Sequence, residues 1–280
     1  MNARADALTA MDVLACEDAY DAAQEGSGAP ITEPPLDARL AKDWTIAGVI
    51  VGTDSLWRKG ASLLGDRTVF YGWLLRHQVA PGTFLCLIRG TKDLIEWAED
   101  AEGVPITAPG VPGKVEQGFY GIYASMRLRH PGGADMPLVS AISAIVGLGT
   151  ITVAGHSLGA ALATYLAADL ADRIGARVSA RIFCSPRPGD SEYVAHAASR
   201  LTDCVAYADA LDIVTHVPWG MGYTPLPSTV TLSPFGKIKF GTKAFHHVLS
   251  IAWLICREAV DLASLPAIDK QFIDCLRLAA

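Results

Sequence analysis

Residues 153–162 read Val-Ala-Gly-His-Ser-Leu-Gly-Ala-Ala-Leu, so Ser157 stands between Gly155 and Gly159. A serine hydroxyl is a weak nucleophile at neutral pH; it needs a base to take its proton and an acid to hold that base in the right tautomer. Candidates for both lie downstream. The stretch Cys-Val-Ala-Tyr-Ala-Asp-Ala-Leu-Asp-Ile-Val-Thr-His-Val-Pro supplies Asp209 and Asp212, and Lys-Ala-Phe-His-His-Val-Leu supplies His246 and His247. The order serine, acid, histidine is the one used where the nucleophile sits on a sharp strand-to-helix turn. His196 precedes both acids and His216 follows Asp212 too closely, so the base is expected at His246 or His247.

Such a turn places demands on its neighbours. A buried strand must reverse directly into a helix, and the two approach closely only where side chains are small. Ile151, Thr152 and Val153 are strand formers, whereas Gly155, Gly159, Ala160 and Ala161 remove bulk from the turn and the first helical residues. The serine oxygen is then expected at the carboxyl end of a sheet strand, beside helix N–H groups that favour developing negative charge.

The remaining pattern supplies the frame. A helix is expected over 5–24, followed by a Pro/Gly-rich connection, and strands over 44–52, 68–77 and 83–91, the last two close enough for a hairpin. Residues 92–100 read as helix-like and 101–113 as a loop. In 114–130, Val115, Phe119, Ile122 and Met126 fall at helical spacing on one face. From about 135 onward helices and strands alternate: helix to 146, strand 150–155, helix 158–174, strand 178–186, helix 189–201, strand 204–209. That rhythm predicts a mostly parallel sheet with helices on both faces. Thr229–Ser233 and Lys237–Phe240 read as a hairpin, and two apolar helical stretches end the chain. No repeat or linker divides the 280 residues, so one domain over 1–280 is expected.

Composition removes several classes of function. A formal net charge of -6 argues against a broad phosphate-binding surface, and therefore against nucleic acid. Mean hydropathy is +0.28, and 137–168 lacks any Asp, Glu, Lys or Arg. That run is broken by glycines and switches from β-branched to alanine-rich, as a buried helix, strand and helix would, so no transmembrane segment is expected. The N-terminus has acidic residues throughout and no long apolar core, so a cytoplasmic location, or export without a cleavable signal peptide, is expected. Six cysteines occur without metal-ligand spacing and read as buried thiols; neither metal nor cofactor is expected.

Taken with the serine turn, the stretches Ile88-Arg89-Gly90-Thr91, Glu96-Trp97, Gln117-Gly118-Phe119-Tyr120, Phe183-Cys184-Ser185-Pro186-Arg187-Pro188-Gly189-Asp190 and Asp212 to Pro218 carry a family likeness. Over roughly 68–255 the chain resembles the class 3 lipases, the fungal-type triacylglycerol lipase family of the α/β-hydrolase fold. The resemblance implies a central, mostly parallel sheet with helices on both faces and an antiparallel N-terminal portion. It implies a carboxylic-ester hydrolase acting on lipid or similar hydrophobic esters, with a phospholipase A1 or lipid-directed toxin as the alternative within the family and a non-catalytic module as a remote one. Carried onto this chain, the nucleophile is Ser157, the acid Asp212 and the base His247, six residues before Trp253. The oxyanion donors are Leu158 and Thr91. Leu94, Ile95 and Trp97, within 92–113, match the position of the family's lid, which would meet a lipid surface.

Overall fold

A computed structural model of the protein describes residues 2–25, 27, 29–53, 67–91, 103–130, 133–174, 177–239 and 241–276. The first helix, α1, spans Ala3–Gln24 and is followed by strands β1 (Trp44–Thr53), β2 (Thr68–His77) and β3 (Thr83–Ile88). Short strands β4 (Pro105–Ile106) and β5 (Val115–Glu116) precede helix α2 (Gln117–Ser125), strands β6 (Arg127–Arg129) and β7 (Asp135–Pro137), and helix α3 (Leu138–Val146). Then come β8 (Thr150–His156), α4 (Leu158–Ile174), β9 (Arg177–Phe183), β10 (Gly189–Asp190), α5 (Ser191–Arg200) and β11 (Asp203–Asp209). A 3₁₀ turn at Ile213–His216, strands β12 (Tyr223–Thr224) and β13 (Thr229–Leu232), and helices α6 (Thr242–His246), α7 (Val248–Cys256) and α8 (Lys270–Leu276) complete the chain.

Nine strands form one sheet in the order β13-β11-β9-β8-β3-β2-β1-β6-β7. β3, β8, β9, β11 and β13 run parallel, and β3-β2-β1-β6-β7 pair antiparallel. This is the α/β architecture with its antiparallel N-terminal portion. Side chains of β8 alternate between the faces: Val153 packs with α2, α3, α4 and α5, while Ala154 packs with α1 and α7. Burial on both faces explains the successive apolar residues Val153, Ala154 and Gly155. No helix among the described residues is long and apolar enough to cross a membrane. The charge-free run of 137–168 is α3, β8 and the first two-thirds of α4, all packed against this sheet.

Four local expectations fail where tertiary pairing overrides periodicity. Val115 belongs to β5 rather than to a helix, because Glu116 leaves the strand to cap α2, its Oε2 accepting the Phe119 N–H at 2.7 Å. Met126 likewise lies beyond α2, where the chain extends into β6 to pair with Val49–Val51 of β1. Residues 135–137 form β7 and not the start of a helix, and Pro137 ends the strand by starting α3. Finally, Thr229–Leu232 adds to the parallel sheet beside β11, while Lys239 donates its N–H to the Cys275 carbonyl at 3.0 Å, so no hairpin joins them.

The N-terminal helix is tied into the sheet by charge as well as packing. Asp6, 1% exposed, accepts from Arg181 Nε of β9 at 2.5 Å and from the Tyr207 hydroxyl of β11 at 2.7 Å. Arg181 also pairs with Asp203, so losing Asp6 removes two charge-assisted hydrogen bonds without leaving the guanidinium unpaired. The Asp6→Ala variant is therefore expected to lose about 2 kcal/mol of stability in urea unfolding; a loss below about 0.5 kcal/mol would contradict this anchoring role.

Candidate active site

β8 ends at His156 and α4 begins at Leu158, leaving Ser157 alone to make the turn. Its φ of 57° is left-handed, a region that costs a side-chain-bearing residue energy and persists only where the surroundings enforce it. The enforcement is visible in backbone contacts. The Ser157 N–H donates to the Phe183 carbonyl of β9 at 3.0 Å, and its carbonyl accepts from Ala160 at 3.0 Å. A Cβ on Gly155 would stand 2.3 Å from the Gly159 oxygen, and one on Gly159 would stand 2.3 Å from the Ile88 oxygen. Only hydrogen fits at either place.

The turn aims Ser157 at His246, the last residue of α6. The Ser157 hydroxyl lies 2.7 Å from His246 Nε2, and His246 Nδ1 lies 2.7 Å from Asp212 Oδ2. All three side chains are buried. A carboxylate can only accept, so Nδ1 carries the proton and Nε2 keeps a lone pair facing the serine. Asp212 is itself fixed: its Oδ1 accepts the Val214 N–H at 3.0 Å and its carbonyl accepts the Thr215 hydroxyl at 2.8 Å.

The histidine placed between Ser157 and Asp212 is thus His246, and the expectation of His247 is corrected. His247 turns the other way because it caps α7, its Nδ1 accepting the Leu249 N–H at 3.3 Å. Its ring stacks on Phe272 with centroids 3.7 Å apart, and burial pushes its pKa down to about 3. Spacing to Trp253 could not reveal this, since it fixes a helix and not which adjacent residue caps it. Asp209 also stands apart from His246. It accepts the Leu211 N–H at 2.8 Å, burial raises its pKa to about 6, and it lines a separate cavity of about 210 Å³ with Arg187, Thr215 and His216.

Leu158, buried, opens α4 directly after the nucleophile. Thr91 follows Gly90, which is packed so tightly that a Cβ there would stand 3.0 Å from Ser157 Cβ and 2.9 Å from the His156 oxygen. The oxyanion candidates therefore flank the serine from two chain segments. Leu94, Ile95 and Trp97 lie outside the described residues.

Two further groups at this centre went unmarked in the sequence pattern. Cys184, at φ 48° and fully buried, lies beside Asp212; burial first, and then the Asp212 charge, push its thiol well above the usual range. Cys184, Asp212 and His246 are the one group among the described residues whose ligand atoms, all within 4.8 Å, could hold a metal ion. Asp212 and His246 are already committed to each other and to Ser157, so an ion there would have to break that chain. The second group is His156 with Glu17 of α1, Nδ1 to Oε1 at 3.0 Å.

A strained serine turn between a parallel strand and a helix, with acid and histidine following in order, defines a protein of the α/β-hydrolase fold equipped for nucleophilic chemistry. The class 3 lipase family model matches residues 85–221. Phospholipase A1-IIgamma of Arabidopsis thaliana is 30% identical over 177 residues, covering 55% of this chain and 38% of that protein. Phospholipase A1-II 2 of Oryza sativa subsp. indica is 29% identical over 236 residues, covering 72% and 53%. The chain spans about half or less of the length of these curated relatives, 38% and 53%. Among solved structures, the Rhizomucor miehei lipase propeptide complex shares the fold with a TM-score of 0.57 at 21% identity, covering 83% of this chain and 69% of that one. M37 lipase does so with a TM-score of 0.57 at 16% identity, covering 84% and 87%. Over residues 85–221 the chain is thus similar to the class 3 lipases, and it shares the fold of these solved lipases.

The assignment of the base can be checked by the rate at which a fluorophosphonate labels Ser157. His246→Ala is expected to slow labelling by about a thousandfold, while His247→Ala stays within about tenfold of the parent. The reverse ranking would contradict the geometry.

Proposed function

We propose that the protein is a serine carboxylic-ester hydrolase acting on acyl lipids. The observation that carries the proposal is the continuous hydrogen-bonded path from Ser157 through His246 to Asp212, built on a turn that holds the serine in a left-handed backbone. Ser157 Oγ attacks the ester carbonyl as its proton passes to His246 Nε2. Asp212 holds the resulting imidazolium. The carbonyl oxygen, now negative, lies against the N–H groups of Leu158 and Thr91, an interaction that strengthens as charge develops. His246 then returns the proton to the departing alcohol, leaving an acyl group on Ser157, and water activated by the same histidine releases the acid.

An apolar substrate is supported by exposed apolar side chains on two loops that meet. Val104, Trp219 and Met221 are 52%, 61% and 63% exposed. A Cβ on Gly103 would stand 2.4 Å from Pro218 Cβ, so the two loops bearing Val104 and Trp219 meet. Together they give the protein an apolar surface for a lipid aggregate. Phospholipase A1 action is the second reading, favoured by the names of both curated relatives described above.

Hydrolysis of p-nitrophenyl esters of increasing chain length, of a triacylglycerol emulsion and of phosphatidylcholine vesicles tests the proposal. Turnover of at least one of these is expected, with a loss of about a thousandfold or more in Ser157→Ala. Release of the sn-1 fatty acid from phosphatidylcholine would select the phospholipase reading. A parent chain inert toward all three, or a Ser157→Ala variant of parental activity, would overturn the serine-hydrolase reading.

A further inference from the structure

The pair formed by Glu17 and His156 lies directly behind the catalytic chain and joins four distant segments. Glu17 Oε1 accepts the Gly90 N–H at 2.9 Å and meets His156 Nδ1 at 3.0 Å. On the other side of the ring, His156 Nε2 meets the backbone carbonyl of His246 at 2.6 Å. The two imidazoles lie with centroids 4.8 Å apart.

Hydrogen-bond chemistry sets the charge of this histidine. A carbonyl oxygen only accepts, so Nε2 must donate. A carboxylate oxygen already accepting from Gly90 also accepts from Nδ1, so both ring nitrogens carry protons. His156 is therefore an imidazolium paired with an ionised Glu17, and the directions agree. Although burial opposes it, the Glu17 charge holds the His156 pKa above its ordinary 6.5; although burial raises Glu17, His156 and the Gly90 N–H hold it below its ordinary 4.5.

Resting on the serine-hydrolase reading above, we propose that Glu17 is a positioning residue for the reaction. Through Gly90 it fixes the segment that delivers the Thr91 donor. Through His156 it fixes the residue preceding the nucleophile, and through the His246 carbonyl it fixes the backbone of the base. None of these contacts requires Glu17 to touch substrate.

Other ionisable groups face the pair from each side: Cys16 and Asp18 on α1, Arg89 after β3, Asp212, His246 and His247, and Asp269 before α8. Arg89 is held over the Tyr20 ring at 3.8 Å and by the Phe70 and Gly90 carbonyls. Glu17's contribution to stability is present above 4.5 and is lost as pH falls through its lowered value. That of His156 is present below 6.5 and is lost as pH rises through its raised value. The pair is complete between these two limits.

The test uses the full chain and Glu17→Gln, a substitution of nearly equal size that removes the negative charge. Folding is checked by circular dichroism and thermal unfolding, and ¹⁵N NMR of the imidazoles reads the charge of His156 near pH 7 in both proteins. Two protonated ring nitrogens are expected in the parent and one in the variant. Kinetics on the best p-nitrophenyl ester should show kcat lower by about tenfold or more with KM within about threefold. A singly protonated His156 in the parent overturns the proposal, as does a folded variant with parental kcat. A parent that hydrolyses no ester and is not labelled at Ser157 by a fluorophosphonate overturns the hydrolase reading, and the positioning role with it. Parental activity in Glu17→Gln overturns the positioning role alone.

Discussion

Everything at the reactive centre depends on how closely β8 and α4 approach. The space between Gly155 and Gly159 admits hydrogen and nothing larger, and the same is true between Gly159 and the end of β3. That tight fit forces Ser157 into a left-handed conformation and directs its buried hydroxyl to the end of the sheet where the chain has already left β3 and will later bring back His246. The strain is offset by backbone hydrogen bonds on both sides of the turn and by a helix whose first residues are almost all buried. The alanine-rich character of α4 follows from this, because larger side chains would push the helix away from the strand.

A second constraint is electrostatic. The centre holds two carboxylates, Glu17 and Asp212, with three histidines, His156, His246 and His247, in surroundings where an unpaired charge is costly. The arrangement divides the labour. Asp212 is committed to His246, Glu17 to His156, and His247 is kept neutral by burial against Phe272. Two carboxylate–histidine pairs therefore stand back to back, their rings 4.8 Å apart, one able to exchange a proton with Ser157 and the other without access to it. The N-terminal helix is thereby part of the reactive centre even though its own residues do not reach the serine.

The sequence disclosed a good part of this. Strand, turn and helix around Ser157 followed from small residues at set positions, and the alternating rhythm after 135 announced the parallel half of the sheet. Asp212 was distinguished from Asp209 only by the resemblance, and the structure gives the physical reason, since the 3₁₀ turn at Ile213–His216 directs it toward His246. The adjacent histidines could not be separated by spacing, because the choice depends on the one that caps α7. Val115 kept helical spacing but pairs with Gly189, distant in sequence, and Met126 falls at the end of α2, where the next residues leave to pair with β1. Glu17 carried no local signal at all: it is one acidic residue in a helix with several, and its role comes from Gly90 and His156, 73 and 139 residues away.

The account stands most directly on Ser157 carrying the acyl group during turnover. Intact-protein mass spectrometry, with rapid acid quenching during hydrolysis of a slowly deacylating ester, reads this without reference to any variant. The predicted result is a transient gain of one acyl group per chain, located by peptide mapping to Ser157 and decaying as product acid appears. Ester consumed with no adduct, or an adduct that builds and decays on another residue, would contradict it.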